Sequence, residues 1–254
     1  MINRMLVVFC VLCTTFFSGL QAKKVGLLIV ATGKYDEFVD PLIASARKHF
    51  CTNHEVTYFV FADGNRITDA DDVVRIYQQR LGWPYDTMMR NLIYWDNREL
   101  FKEQDYLFAL DADMRFVDSV GDEILGERVA TLHPGYVETR GTYETNPRSL
   151  AYVSEDEGEY YFAGGFFGGT REEFLNITGE TSRRVLADLG IGIVPVWHDE
   201  SHWNRYCIDF KPTVILGPAY CYPDMWLPEW KFAWKETCSP KLLCLTKNHS
   251  EYRE

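Results

Sequence analysis

Short apolar runs alternate with amphipathic stretches over the first half of the chain. "KVGLLIVA" (Lys24 to Ala31) and "HEVTYFVFA" (His54 to Ala62) are dense in Val, Ile, Phe and Tyr and predict two strands. Between them Phe38, Val39, Leu42, Ile43 and Ala46 recur at the spacing of one helix face, which predicts a helix over Phe38 to Phe50. "VVRIY" from Val73 and "YLFAL" from Tyr106 read as further strands, with the segment from Met88 to Phe101 as a helix between them. This alternation predicts an α/β fold, a mixed, mainly parallel sheet with helices packed on it. The polar, glycine-bearing passage from Thr139 to Gly158 reads as a long loop inside one domain, and no repeat or low-complexity linker divides the chain.

With 254 residues, 46% of them hydrophobic and 15% aromatic, the chain can bury a full core in a single domain. The first 22 residues, "MINRMLVVFCVLCTTFFSGLQA", stand apart. One arginine, an apolar run and an exit of small residues match a cleavable secretory signal ending near Ala22. The alternative is a membrane anchor through residues 5–21, but that run is short for a spanning helix and the first strand follows with no polar stem. The expectation is a signal over residues 1–22, one folded domain over 23–254, and delivery to the secretory pathway or cell envelope. That means periplasm or exterior in a bacterium, ER or Golgi in a eukaryote. Removing the signal leaves Cys51, Cys207, Cys221, Cys238 and Cys244. No C-x-x-C spacing remains, so zinc is not expected. At most two disulfides can form, with Cys221, Cys238 and Cys244 as near candidates; buried reduced thiols are the alternative. Asn176 and Asn248 open glycosylation sequons that matter only in a eukaryotic secretory pathway.

Charge narrows the partners. A net charge of −11 leaves no basic field to hold nucleic acid, so a polyanionic ligand has to be met locally by a few Arg and Lys side chains or by a metal. In an open α/β sheet ligands collect at the carboxyl ends of strands, and in "YLFALDADMRFV" Asp111 and Asp113 stand where a strand runs out. At alternate positions of an extended segment the two carboxylates can share one hard cation, Mn²⁺ or alternatively Mg²⁺, whose remaining positions suit phosphate oxygens. Alone, such a D-x-D is more often a turn or a helix cap.

Its company changes that reading. "LHPGY" (Leu132 to Tyr136), "YYFAGGFFGGT" (Tyr160 to Thr170), "VWHDESHWN" (Val196 to Asn204) and "LTKNH" (Leu245 to His249) follow in order. With "ALDADMRF" they resemble family 6 of the retaining glycosyltransferases, the group of the histo-blood-group A and B transferases, the α-1,3-galactosyltransferase and shorter bacterial relatives. The resemblance runs from about Lys24 to the C-terminus. It implies a GT-A (Rossmann-like) fold and transfer of N-acetylgalactosamine or galactose from UDP-GalNAc or UDP-galactose. The acceptor it implies is the 3-hydroxyl of a β-galactoside, fucosylated or not, with the α configuration retained. Asp111 and Asp113 would then bridge Mn²⁺ to the diphosphate. In this family many bacterial relatives carry asparagines there and work without metal, so the resemblance places this chain with the animal enzymes and metal dependence is expected. Val30 and Ala31 leave the first strand on the donor side, and Tyr35 falls where the family places an aromatic beside uracil. Arg90 matches the arginine at the diphosphate and donor sugar, where a guanidinium fork suits phosphate. Lys247 lies in a tail, residues 240–254, that the family orders over bound nucleotide, where a cation neutralises departing UDP and the tail excludes water.

On the acceptor side, His133 (with Pro134) matches a position lining the acceptor galactose, where an imidazole hydrogen-bonds a sugar hydroxyl. Trp197 can stack on the apolar face of a galactose ring and His198 follows at the mouth of the site. Asp199 matches a residue holding donor hydroxyls, and Glu200 the catalytic carboxylate. Retention leaves two routes open: double displacement through Glu200, or front-face attack in which Glu200 stabilises oxocarbenium charge. Ala163 and Gly165, on either side of Gly164, fall on the donor-selecting positions, where small side chains favour UDP-GalNAc and also admit UDP-galactose. Asp224, in "PAYCYPDMW", stands as the counterpart of an acidic acceptor-binding residue. The rival readings are a catalytically weak galactoside-binding protein of the same fold, which has no need for Glu200 or the D-x-D, and another metal-dependent nucleotide enzyme, such as a nucleotidyltransferase, which has no need for the Trp197 wall.

Overall fold

A computed structural model describes residues 21–225 and 232–253. Most of the expected signal or anchor, with Cys10 and Cys13, lies outside the described residues. Among the described residues no helix is long and apolar enough to cross a membrane. The chain runs β1 (Lys24–Val30), a 3-10 turn (Gly33–Phe38), α1 (Val39–His49), β2 (Glu55–Ala62), β3 (Val73–Tyr77), α2 (Tyr85–Met88), α3 (Arg90–Asp96) and β4 (Tyr106–Asp111). Next come β5 (Met114–Phe116), β6 (Arg128–Leu132), β7 (Phe162–Thr170), α4 (Arg171–Gly190), α5 (His198–Asp209), β8 (Val214–Leu216), β9 (Tyr222–Pro223), β10 (Leu242–Cys244) and α6 (His249–Tyr252).

The central sheet has the order β3-β2-β1-β4-β7-β6-β8. Its first four strands are parallel, β7 runs antiparallel to β4 and to β6, and β8 is parallel to β6. The expected mixed, mainly parallel sheet is therefore present. Alternation along each strand divides the core in two. Val25, Leu27 and Ile29 of β1 pack with Val39, Leu42 and Ile43 of α1. On the other face Leu28, Phe59 and Phe61 meet Tyr94 of α3, Phe174 of α4 and Trp203 of α5.

Two expected helices are shorter and more broken than their patterns suggest. The apolar face from Phe38 is shared between the 3-10 turn and α1. Between α2 and α3, Met89 sits at φ −89° and ψ 1°, outside helical geometry, and the segment closes in a 3-10 turn at Arg98–Phe101. The Thr139 to Gly158 passage contains no helix or strand, only an isolated bridge between Glu144 and Tyr152. It is tethered at Asp188, which accepts from Ser149 Oγ (2.5 Å) and Leu150 N (2.8 Å).

Strand β7 is the pivot of the sheet, buried from Phe162 to Gly169. Its glycines at 168 and 169 answer to close approach: a Cβ on Gly168 would lie 2.2 Å from the Leu107 carbonyl oxygen, and one on Gly169 1.9 Å from that of Glu127. Thr170 ends the strand and caps α4, its hydroxyl accepting from Glu173 N at 3.4 Å. A second, three-stranded sheet, β5-β10-β9, carries the C-terminal segment back beside the D-x-D. It also brings Cys221 and Cys244 to an Sγ–Sγ distance of 3.1 Å. All five described cysteines are free thiols, the reduced alternative.

Candidate active site

Arg90, at the start of α3 and 5% exposed, is the hub around which the expected residues gather. Its Nη1 pairs with Asp111 Oδ1 at the end of β4, and its Nη2 donates to the Gly164 carbonyl of β7 at 2.8 Å. Nε and Nη2 both reach Asp199 Oδ2 on α5, at 3.1 and 2.5 Å. Burial opposes the guanidinium charge, but Asp199 and Asp111 outweigh it and raise Arg90 above its ordinary value. Three separate elements are thus tied to one permanent cation.

Glu200 follows Asp199 in the first turn of α5, where the helix dipole favours a carboxylate. Its Oε2 accepts from Gly164 N at 2.8 Å, so the peptide units on either side of Gly164 serve Arg90 and Glu200 together. Desolvation raises Glu200 to about 7, against the opposing pull of the Gly164 N–H and the Tyr161 hydroxyl. Asp111 is likewise raised, to about 6, by desolvation first, with Arg90 opposing. Its side chain nevertheless stays 45% exposed toward the cleft.

The C-terminal segment closes over this centre. Leu245 N donates to the Asp113 carbonyl at 2.8 Å, and Lys247 Nζ pairs with Asp113 Oδ2. Desolvation opposes the Lys247 charge, and the Asp113 carboxylate more than offsets it, so Lys247 is raised. Nζ lies 5.2 Å from the centre of the Tyr35 ring, and Tyr252 of α6 meets the same ring edge-on at 5.2 Å. Arg253 covers Trp83 at 3.7 Å. A cleft of about 290 Å³ lies between these parts, lined by Val30, Tyr35, Arg90, Asp111, Asp113 and Lys247 among others. A second cavity, lined by His133, Tyr136 and Cys221, shares Asp113, Lys247 and His249 with the first. His133 is held near 4 by desolvation and is therefore neutral; its Nδ1 accepts from Gly135 N at 3.1 Å, which leaves the proton on Nε2. A further cavity of about 450 Å³, lined by Phe162, Ile208 and Ile215 beside the acidic 155–159 loop, contains none of the expected site residues.

A family model described as glycosyltransferase family 6 matches residues 12–253. The chain belongs to glycosyltransferase family 6. It is a hexosyltransferase, and its mixed sheet is a GT-A-like domain. The rat histo-blood group ABO system transferase 1 is 37% identical over 251 residues, which cover 92% of this chain and 70% of the relative. The chicken and human globoside alpha-1,3-N-acetylgalactosaminyltransferases 1 are 35% and 32% identical. Those alignments cover 79% of this chain and 62% and 61% of the relatives.

The residues expected from the sequence fall into three groups. Val30, Tyr35, Arg90, Asp111, Asp113 and Lys247 line the first cleft, while Gly164 and Asp199 bind Arg90, Glu200 is held by the Gly164 N–H, and Ala163 and Gly165 are the neighbours of Gly164 in β7. Ala31 points into the core, fully buried, with only its main chain at the strand end. Trp197 is 45% exposed at the rim, and His198, at φ 52°, stands 4.9 Å from Trp83. Asp224 is placed differently from its expected role. Its Oδ1 accepts from Thr246 N (2.8 Å) and Oγ1 (2.6 Å), so this carboxylate pins the C-terminal segment and lines neither cavity. Sequence reasoning missed Trp83, Asp86, Thr87 and Arg253. Trp83, Asp86 and Thr87 come with the turn that leads into Arg90, and Arg253 arrives from the tail, where it covers Trp83.

The donor set suits a hard divalent cation of the kind on which the family generally depends. Among the described residues no cluster of three or more His, Cys, Asp or Glu gathers to hold a metal. Two carboxylates facing an open cleft are what Mg²⁺ or Mn²⁺ requires when phosphate oxygens complete its shell. Asp111 and Asp113 each engage a cation through one oxygen, Oδ1 and Oδ2 respectively, and each keeps the other.

Proposed function

We propose that the protein transfers N-acetylgalactosamine, with galactose as the second donor sugar, from its UDP derivative to the 3-hydroxyl of a β-galactoside, with the α configuration retained. The observation that supports this reading is the Arg90 network, which joins Asp111 of the D-x-D, the Gly164 carbonyl and Asp199, with Glu200 held by the Gly164 N–H on the other side of the same residue. The names of the ABO and globoside relatives support the α-1,3 linkage and the sugar class.

In this mechanism Tyr35 stacks against the uracil; Asp111 and Asp113 would hold Mn²⁺, or Mg²⁺, which when bound would supply Lewis-acid charge to the diphosphate. Arg90 and Lys247 face the same oxygens and neutralise the departing UDP. The closed tail keeps water from the sugar, which separates a transferase from a hydrolase. Glu200 acts as a carboxylate, either by attack on the anomeric carbon or by stabilising oxocarbenium charge, and both routes need it ionised. Gly165 gives donor choice a physical basis. A Cβ there would stand 3.3 Å from Asp111 Oδ2 and 3.5 Å from Cys221 Sγ, so a larger side chain would crowd the D-x-D, and glycine spares the donor sugar that crowding.

The test incubates the purified chain with a β-galactoside panel, plain and fucosylated, and with each UDP sugar. Products are read by mass and linkage. Addition of an α-1,3-linked HexNAc in preference to hexose is expected. Release of pyrophosphate in place of UDP would point to nucleotidyl transfer, and binding of galactoside without any product would point to a lectin.

A further inference from the structure

We propose that Glu144 is a positioning residue for the acceptor wall: its carboxylate clamps the main chain at Val196 and so sets Trp197 and the turn from which Asp199 and Glu200 project. The inference rests on the reading of Trp197 as the acceptor wall and of Glu200 as the catalytic carboxylate.

Glu144 belongs to the Thr139 to Gly158 passage, which has no helix or strand, yet it is only 8% exposed. A carboxylate at that depth needs partners for its oxygens. Oε1 accepts from Asn146 N at 2.7 Å, a local turn, and Oε2 accepts from Val196 N at 2.8 Å, across 52 positions of sequence. Hydrogen bonds from main-chain N–H groups to a carboxylate are charge-assisted and stronger than neutral ones. The backbone that carries the side chain is itself fixed. The Glu144 carbonyl accepts from Val153 N at 2.9 Å, and the adjacent Tyr143 packs with Val153 and Tyr161 in a small buried cluster.

What the clamp holds is a strained turn. His198 sits at φ 52°, in the left-handed region, and a residue with a side chain persists there only where its surroundings over-determine it. Four hydrogen bonds hold this turn. Val196 N donates to Glu144, Trp197 N to Ser201 Oγ at 3.0 Å, His198 N to the Pro195 carbonyl at 3.0 Å and Glu200 N to the Trp197 carbonyl at 3.0 Å. Of these four, only the Glu144 bond comes from outside the turn and α5. Asp199 and Glu200 have second anchors in Arg90 and Gly164 N. Trp197 directly follows the clamped residue and stands 45% exposed at the rim, so the aim of its ring follows the main chain there. Loss of the clamp should therefore be felt by the acceptor and not by the nucleotide, whose proposed contacts Tyr35, Arg90 and Lys247 lie elsewhere in the chain.

The experiment compares the wild type with two variants, so that failure of either to fold leaves the other. Glu144→Gln turns an amide N–H toward one of the two main-chain donors, and Glu144→Asp keeps the charge but ends one methylene short. Ser149→Ala is the control: it loosens the other tether of the same passage, the hydrogen bond to Asp188, and leaves Val196 alone. In both Glu144 variants acceptor KM is expected to rise about tenfold, the effect of one such bond, while the dissociation constant of UDP, read by calorimetry, stays within about twofold. Ser149→Ala should lower the melting temperature with acceptor KM unchanged. A second readout needs no turnover: amide hydrogen exchange over residues 196–200 should quicken in the Glu144 variants and not in Ser149→Ala. An unchanged acceptor KM in the Glu144 variants, the same rise in Ser149→Ala, or an equal loss of UDP affinity would overturn the inference. If the wild type transfers no sugar, the functional reading fails, while exchange over residues 196–200 still decides whether Glu144 holds the turn.

Discussion

Arg90 carries the greatest structural stake of any single residue in the site. Asp199 is only 2% exposed, and Arg90 is the cation paired with it, so Arg90→Met would leave a buried carboxylate uncompensated. The expected loss is about 3–5 kcal/mol, measurable by urea unfolding, together with loss of transfer. Arg90→Lys should keep more stability than Arg90→Met but still lose transfer, because one ammonium cannot reproduce contacts to Asp111, Gly164 and Asp199 at once. Glu200 sets the pH dependence. With its carboxyl raised to about 7 by desolvation and needed in ionised form, kcat should fall on the acid side of neutrality and level off above it. A pH-rate profile whose acid limb lay near an ordinary carboxylate value would contradict this. Asp111, Asp113, Asp199 and Glu200 could be picked out as candidates because they sit in short contiguous motifs, and the structure gathers Asp111, Asp199 and Glu200 around Arg90 and Gly164. Asp224 was not legible: its neighbour Thr246 lies 22 positions away and claims the carboxylate for the tail.

Among the elements, the C-terminal segment and β7 make opposite demands. The segment from β10 to α6 is held to the site by a few polar contacts, chiefly Lys247 with Asp113 and Leu245 N with the Asp113 carbonyl. Lys247→Ala should weaken UDP binding by about tenfold, read by calorimetry, and raise hydrogen exchange of the tail, with the sheet unaffected. Strand β7 has no such slack. Gly168→Ala would drive a methyl group onto the Leu107 carbonyl and should cost about 3 kcal/mol or prevent soluble folding, which thermal melting would show. The parallel half of the sheet could be read in advance because β1, β2 and β4 are long apolar runs. The β5-β10-β9 sheet could not, since its strands have two or three residues and β10 pairs with β5 across more than a hundred positions. Helix α4, with a low-contrast apolar face, likewise escaped the periodicity reading, although Thr170 and Glu173 supply a cap at its start.

Across the whole molecule the net charge is −11, and in the site Arg90 and Lys247 are each already paired with aspartates. A doubly charged diphosphate entering that cleft needs extra positive charge. Chelation should therefore abolish transfer, and Mn²⁺ should restore it without refolding; transfer undiminished in chelator would remove Asp111 and Asp113 from any metal role. Localisation through the N-terminal 22 residues is a separate proposal, checked by N-terminal sequencing of the secreted or membrane fraction. The account stands most directly on the stereochemistry of the product. Proton NMR should follow the chain with UDP-GalNAc, Mn²⁺ and a β-galactoside while the product forms. An α-configured anomeric proton on a new 1→3 linkage, with UDP released, is the predicted result; a β-configured product, or consumption of UDP-GalNAc with no glycan extended, would contradict it.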